Sequence, residues 1–376
     1  LNKTDHPNDY LDVDYLDIVG VRFENLSGDE RTNLLGNYSN FVKNLDRDPD
    51  IIIRFVDKLN SSGLTYLGLD FAAFDESKFY IISDSVEKKK VAIPFDKIGQ
   101  KLEIICEKGL RSVPLLNHIV NFYFIKREFI PVHSSGFYHD NQGVLVMGWT
   151  KGGKTETLLS FANHGAEYVG DEWVVLSKDG SEMFGLHVPI TIWKWQLPYI
   201  KKLINNIGLA NKSIFMIVTL LEYFNRIGMN LKLNKVFPFN LLSRGLPHAR
   251  KLLKIRKSPE KLFANKIRHG KTKLDTIVLA VSHEDSAITV NKCDPEEVFN
   301  RMIHSNDYEK LIFDEYYKAF KYAFPERNNV FLDNIKNIHS ELLSNAMEGK
   351  RSFKVSHPYP FSFEDLYQKL NSALSN

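Results

Sequence analysis

Short runs of β-branched and aromatic residues punctuate the first 130 residues of the chain. They predict strands over 15–23 (YLDIVGVRF), 51–56 (IIIRFV), 78–83 (KFYIIS), 90–93 (KVAI) and 101–106 (KLEIIC). The strongly apolar stretch 115–124 predicts a buried helix. From about residue 131 the pattern changes. An apolar strand at 143–147 (GVLVM) leads into a Gly-rich turn and a helix over about 154–163, which Gly165 ends. Tyr168-Val169 opens the next strand, which Gly170-Asp171-Glu172 interrupts and residues 174–176 continue. This strand, loop, helix, strand order is the unit that places a ligand at the carboxyl ends of a sheet.

Residues 201–275 read as mostly helical, with turn signals at Pro238, Gly245-Leu246-Pro247 and Ser258-Pro259. Strands return at 274–281 and 287–290. After Asp294 the pattern is helical, with Asp294 as cap and Pro295 in the first position, and a last helix over 362–375 capped by Ser362. The expected organisation is an α/β domain at 1–112, a core at 113–300 with a helical insertion at about 201–275, and a helical segment at 301–376.

Composition adds limits. Of 376 residues, 43% are hydrophobic and 25% charged, so an ordinary core is expected and wholesale disorder is excluded. No apolar run reaches the ~20 residues that span a bilayer; the longest, 213–224, carries Glu222. No secretory start pattern is visible. The two cysteines, Cys106 and Cys293, cannot form a disulfide framework or a cysteine zinc site, and a reducing, cytoplasmic setting is expected. Charge is uneven. Residues 201–275 hold 17 Lys and Arg against 3 Asp and Glu, a net +14, and with +3 overall the remainder carries −11. Arg250, Lys251, Lys254, Arg256 and Lys257 are expected on one helix, with Leu252, Leu253 and Ile255 packing inward. That surface suits an acidic peptide or protein; its bland reading is a solvated face.

Gly148-Trp149-Thr150-Lys151-Gly152-Gly153-Lys154-Thr155 fits G-x-x-x-x-G-K-[ST] in full. The glycines let backbone amides turn toward phosphate oxygens, Lys154 brings a point charge to the β- and γ-phosphates, and the Thr155 hydroxyl can ligate Mg²⁺. The expected nucleotide-binding set is Gly148, Thr150, Lys151, Gly152, Gly153, Lys154, Thr155 and Glu156, with ATP or another nucleoside triphosphate as ligand. Asp171 and Glu172 follow the loop by 16 to 17 residues. Adjacent carboxylates there can hold Mg²⁺ together with Thr155 and take a proton from an acceptor hydroxyl. Read alone, they are a solvated turn. His133, just before the strand leading to the loop, is a catalytic candidate beside the bland reading of a satisfied histidine. His139, His164 and His187 rank below it. On a strand, Trp193 and Trp195 would face one way and Lys194 the other, either as a substrate wall with Lys194 at the phosphates or as a core pair with a solvated lysine.

The runs VHSSGF, GVLVMGWTKGGKT and HGAEYVGDEWVVL resemble the core of the HPr kinase/phosphorylase family over about residues 113–195. The family's usual Asp-Asp pair is Asp171-Glu172 here. The resemblance implies a P-loop fold like that of phosphoenolpyruvate carboxykinases. It implies transfer of a γ-phosphoryl group to a hydroxyl: a serine of a peptide or protein, as in lasso-peptide precursor kinases, or a small molecule. It implies Asp171 as the base, Lys154 and Thr155 on the phosphates and metal, and His133 near the acidic pair. The competing reading is a P-loop ATPase or nucleotide-binding regulator. A membrane partner is not expected, nor is a nucleic acid, for no base-reading motif accompanies the basic stretch. Self-association is left open.

Overall fold

The computed structural model describes residues 10–375, apart from 61, 84–86, 111, 205–206, 232–235 and 238. Pro238 therefore lies outside the described residues. The architecture is mixed α/β. The N-terminal part builds an eight-stranded sheet from Tyr10–Tyr15 (β1), Val19–Glu24 (β2), Ile51–Val56 (β3), Thr65–Leu67 (β4), Ala72–Phe74 (β5), Phe79–Ile82 (β6), Lys90–Ala92 (β7) and Leu102–Glu107 (β8), in the order β1-β2-β3-β8-β7-β6-β5-β4. The single strand expected at 15–23 is instead a hairpin. Leu16 and Asp17 both take positive φ (62° and 59°) and reverse the chain, pairing Tyr15 with Val19. Helix α1 (Gly28–Tyr38) starts at a reciprocal cap: the Ser27 hydroxyl accepts from the Glu30 amide while Glu30 accepts from the Ser27 amide at 2.9 Å. Helix α2 (Leu116–Lys126) is apolar on nearly every side, and it is buried accordingly.

A six-stranded sheet forms the second part. Its strands are Ser135–His139 (β10), Gln142–Met147 (β11), Glu167–Gly170 (β12), Thr276–Ser282 (β18), Thr289–Lys292 (β19) and Arg351–His357 (β20), in the order β12-β10-β11-β18-β20-β19. β11, β18 and β20 run parallel. Strand β11 is apolar along both faces because it is covered on both, as central parallel strands are. Helix α3 (Lys154–Ala162) lies against this sheet, where Phe161 stacks on Phe137 at 4.4 Å. Full burial of an aromatic side chain of this kind is worth about 1.5–3 kcal/mol.

A four-stranded sheet joins Ile130–His133 (β9), Trp173–Leu176 (β13), Glu182–Gly185 (β14) and Lys271–Lys273 (β17). Thus the strand expected to continue across Gly170-Asp171-Glu172 is two strands in two sheets. The strand expected beside the phosphate loop, β12, pairs antiparallel with β10, and the parallel neighbour of β11 is β18.

The remaining helices are Leu209–Asn230 (α4), Phe239–Arg250 (α5), Pro259–Phe263 (α6), Pro295–Glu309 (α7), Leu311–Ala323 (α8), Val330–Met347 (α9) and Phe363–Ser375 (α10). The basic stretch is only partly helical. Gly245-Leu246-Pro247 lies inside α5 rather than at a turn. Lys254–Lys257 (β16) pairs with Ile190–Trp193 (β15), so the single charged helix expected from Arg250 to Lys257 is corrected. On that strand only Ile255 points inward; Leu252 is exposed. The alternation K-I-R-K obeys a period of two, and pairing with β15 decides it. The segment after residue 300 is not wholly helical either. β20 enters the six-stranded sheet beside β18, and α10 packs on α3, whereas α7 to α9 pack into one buried cluster with the N-terminal sheet, α2, β9 and β13. Among the described residues no helix is long and apolar enough to cross a membrane.

His339 on α9 ties that helix to β9: its Nε2 donates to the Pro131 carbonyl at 3.1 Å. Burial, helped by the charge of Lys310, pushes its pKa down to about 4. Its folded value lies below the usual ~6.5, so the stability it confers is full above pH ~6.5 and is lost as pH falls toward 4. We expect His339→Gln, which keeps an N–H donor but cannot titrate, to remove about 3 kcal/mol of the stability change between pH 7 and 4. Urea unfolding of both proteins at the two pH values measures it; parallel pH dependences would show that His339 does not control the response.

Candidate functional site

The turn between β11 and α3 is shaped by three residues with positive φ: Gly148 (151°), Lys151 (61°) and Gly153 (101°). A Cβ on Gly148 would stand 2.5 Å from the Ala280 carbonyl oxygen of β18, so the loop hugs the sheet end. The Gly152 amide closes the turn on the Trp149 carbonyl at 2.9 Å. Among the described residues no side chain caps α3, which leaves the amides of its first turn to face the loop's concavity, the arrangement that binds anions. His357, at the end of β20, supports the loop from behind. Its Nε2 lies 2.9 Å from the Gly152 carbonyl and its Nδ1 2.8 Å from that of Pro358. A Cβ on Gly153 would collide with the fully buried His357 ring. Gly153→Ala is therefore expected to cost about 1–3 kcal/mol through backbone strain alone, and to displace the loop, lowering the melting temperature. An unchanged melting temperature would remove the argument for a fixed loop.

Lys154 is buried, and its Nζ donates to the carbonyls of Gly148 (3.1 Å) and Trp149 (3.0 Å). Burial lowers its pKa, against the pull of Asp171, Glu309, Glu172 and Glu156. Asp171 sits where the chain passes from β12 to β13, and it is 2% exposed. Its carboxylate accepts from Ser135 Oγ at 2.6 Å and from Thr155 Oγ1 at 3.1 Å. Burial and the neighbouring charge of Glu172 push its pKa up to about 7, against the hydroxyls of Ser135 and Thr155. Glu172 takes positive φ (66°), and this turns its carboxylate away from Thr155 toward His133, 3.4 Å from Nε2. His133 holds Glu172 below the usual carboxylate range. His133 also has Nδ1 2.8 Å from Glu309 Oε1, off the line of a good hydrogen bond. Burial alone would lower the His133 pKa, but the two carboxylates outweigh it and raise it. The structure thus brings Asp171, Thr155 and Lys154 together and sets His133 and Glu172 beside them as a pair.

Two cavities share the loop. One, of about 240 Å³, is lined by His133, residues 150–156, Asp171, Glu172, Thr191, Trp193, Gln196, Glu309 and Tyr359. The other, of about 910 Å³, lies across Trp149 and Lys151 and is bounded by Leu279–Ser282 of β18 and by Asn300, Arg301, Met302 and His304 of α7. Glu156 faces the smaller cavity, held by Gln196 Nε2 at 2.8 Å. Gln196, Glu309, Tyr359, His357 and Ser135 escaped the sequence reading. Only Ser135 had a local signal, standing within VHSSGF; the others arrive from distant elements. Trp193 ends β15 and lines the smaller cavity, but Trp195 lies in the following short helix against Tyr359 at 5.0 Å, so the two do not share a strand face. Lys194 donates to Thr219 Oγ1 of α4 and does not line the cavity.

No protein-family model and no curated protein matches the chain. Among the described residues, no group of three His, Cys, Asp or Glu forms a self-contained metal site. A magnesium ion shared with nucleotide phosphates needs only one or two protein oxygens. The Thr155 hydroxyl and the Asp171 carboxylate, 3.1 Å apart at the mouth of the loop, supply that donor set. Glu172, turned to His133, is a weaker fit.

Proposed function

We propose that this chain is a nucleotide-dependent kinase with an HPr-kinase-like P-loop core, moving the γ-phosphoryl group of a nucleoside triphosphate to an acceptor hydroxyl. The observation that carries this reading is Asp171. It is a buried carboxylate hydrogen-bonded to the Thr155 hydroxyl of a full phosphate loop. Burial and the neighbouring Glu172 charge raise its pKa above the ordinary carboxylate range, which strengthens it as a proton acceptor.

In this reading the large cavity takes the nucleoside, with Trp149 at its edge, and the phosphates lie along the amides of residues 150–155. Thr155 and Asp171 would hold a magnesium ion, whose charge offsets that of the phosphates. Lys154 leaves the carbonyls of Gly148 and Trp149 for the phosphate oxygens. Asp171 accepts the hydroxyl proton as the acceptor oxygen attacks. His133 and Glu309 fix Glu172, whose negative charge keeps the Asp171 pKa high. Incubation with γ-labelled ATP, magnesium and candidate acceptors tests the reading: label on an acceptor supports it, and release of inorganic phosphate alone supports an ATPase instead.

A further inference from the structure

A third cavity, of about 340 Å³, shares two walls with the smaller of the two above: Glu172 and Thr191 line both. It lies between the N-terminal sheet and the core and shares no lining residue with the large cavity, so a molecule in it adjoins the proposed transfer site through Glu172 and Thr191. Its polar lining is unlike that of the phosphate loop. Asn37 and Tyr38 come from the last turn of α1, Asn117 and Asn121 from α2, and Tyr15 from the end of β1. Asn121 and Tyr15 are 6% and 4% exposed, and among the described residues the Tyr15 hydroxyl has no hydrogen-bond partner. A buried hydroxyl without a partner costs free energy, and a small rotation of the Tyr15 side chain toward the cleft would let a ligand pair it. Trp173 adds an aromatic face, and among the described lining residues the only charges are Glu172 and Arg256.

From this lining we infer that the acceptor is a small, uncharged polyhydroxyl compound, of sugar or polyol type, bound in this cleft. The inference rests on the kinase reading for its chemistry and on the cleft for its specificity. Amides and phenols each both donate and accept, as sugar hydroxyls do, whereas an acidic or basic acceptor would call for clustered charges of the opposite sign. The volume lies at the small-ligand end of the range for such sites. In the transfer, one hydroxyl oxygen bonds to the γ-phosphorus while the bond from that phosphorus to the bridging oxygen breaks. The nucleoside diphosphate leaves, and the hydroxyl proton passes to Asp171.

The test has two arms. In the first, the full chain with magnesium and γ-labelled ATP is offered hexoses, pentoses, alditols and inositol, and in parallel serine-bearing peptides. In the second, calorimetry measures binding of the same sugars and polyols without nucleotide. We expect label on at least one polyhydroxyl compound, binding of that compound without ATP, and a Michaelis constant for it raised about tenfold in Asn117→Leu, with that for ATP unchanged. Asn117 is exposed on α2, so this variant should fold; Asn121→Leu, checked by circular dichroism, should act in the same direction. Label on peptides and on none of the sugars or polyols overturns the inference, as does an unchanged acceptor constant in Asn117→Leu. If ATP fails to bind, the kinase reading falls, and calorimetry still decides the cleft: binding that Asn117→Leu weakens upholds it, and no binding by any compound rejects it.

Discussion

Asp171→Asn is expected to lower phosphoryl transfer by about 10²–10⁴-fold while leaving ATP affinity within a small factor of the parent. The amide keeps the size of the carboxylate and can still accept the hydrogen bonds of Ser135 and Thr155, which lie 2.6 and 3.1 Å away. What it loses is the ability to take a proton, together with the negative charge that would face the magnesium ion. The pH dependence should move with it. In the parent, transfer should rise with pH as this carboxyl loses its proton, at a pH that burial and the Glu172 charge raise and that magnesium on Asp171 would lower. In the proposed mechanism the ionised form is the base, so the rise follows loss of its proton. In Asp171→Asn that limb should vanish from the residual activity. Glu172→Gln removes the neighbouring negative charge and should shift the same limb to lower pH. Single-turnover transfer across pH 5.5–8.5 separates these outcomes. Full activity in Asp171→Asn would place the base elsewhere, and His133, 3.4 Å from Glu172, would be the next residue to test.

The parts of this site that could be read from the sequence are the contiguous ones. The proposed phosphate loop is eight consecutive residues whose backbone must turn sharply, so its glycines and its lysine announce it. Asp171-Glu172 was legible because it follows the loop after one helix. Its true setting was not, because the chain changes sheets at that point, and nothing in GDEW signals that Gly170 and Trp173 pair with different partners. Glu309 reaches His133 across 176 positions, His357 ends a strand that reads as part of a helical tail, and Tyr359 lies just beyond it. In RSFKVSH, Arg351 and Lys354 break the apolar run expected of a parallel strand, yet β20 sits beside β18. Strand β16 misled for the same reason: Lys254, Arg256 and Lys257 matched a charged helical face until Ile190–Trp193 paired with them. That pairing also changes the role of the charge. Arg256 lines the cleft beside Glu172, and Lys254 lies over the Trp193 ring at 5.6 Å, so part of the basic stretch faces the site.

Lys154→Met should reduce transfer by about 10²–10³-fold, comparable to the loss of one preorganised donor at a developing charge. Methionine is the sharper choice over alanine because Lys154 is 6% exposed, and its stem fills space that alanine would empty. The ammonium now bridges the Gly148 and Trp149 carbonyls at 3.1 and 3.0 Å, and Ser305 Oγ also donates to Gly148 at 3.2 Å. The loop therefore keeps one of its carbonyl contacts in the variant, and the fold should persist. Burial of an ammonium is unfavourable, and it depresses the Lys154 pKa. Removing it should leave the melting temperature level or slightly higher while catalysis collapses. That opposition is what identifies a group kept for function. Phosphate contacts made in both ground and transition states predict weaker ATP binding as well, so affinity and turnover should fall together, turnover further. Calorimetric ATP titration beside transfer assays measures the split. Parent-like affinity and turnover in Lys154→Met would remove the phosphate loop from the mechanism, whereas loss of stability equal to the loss of activity would reduce Lys154 to a strut of the turn.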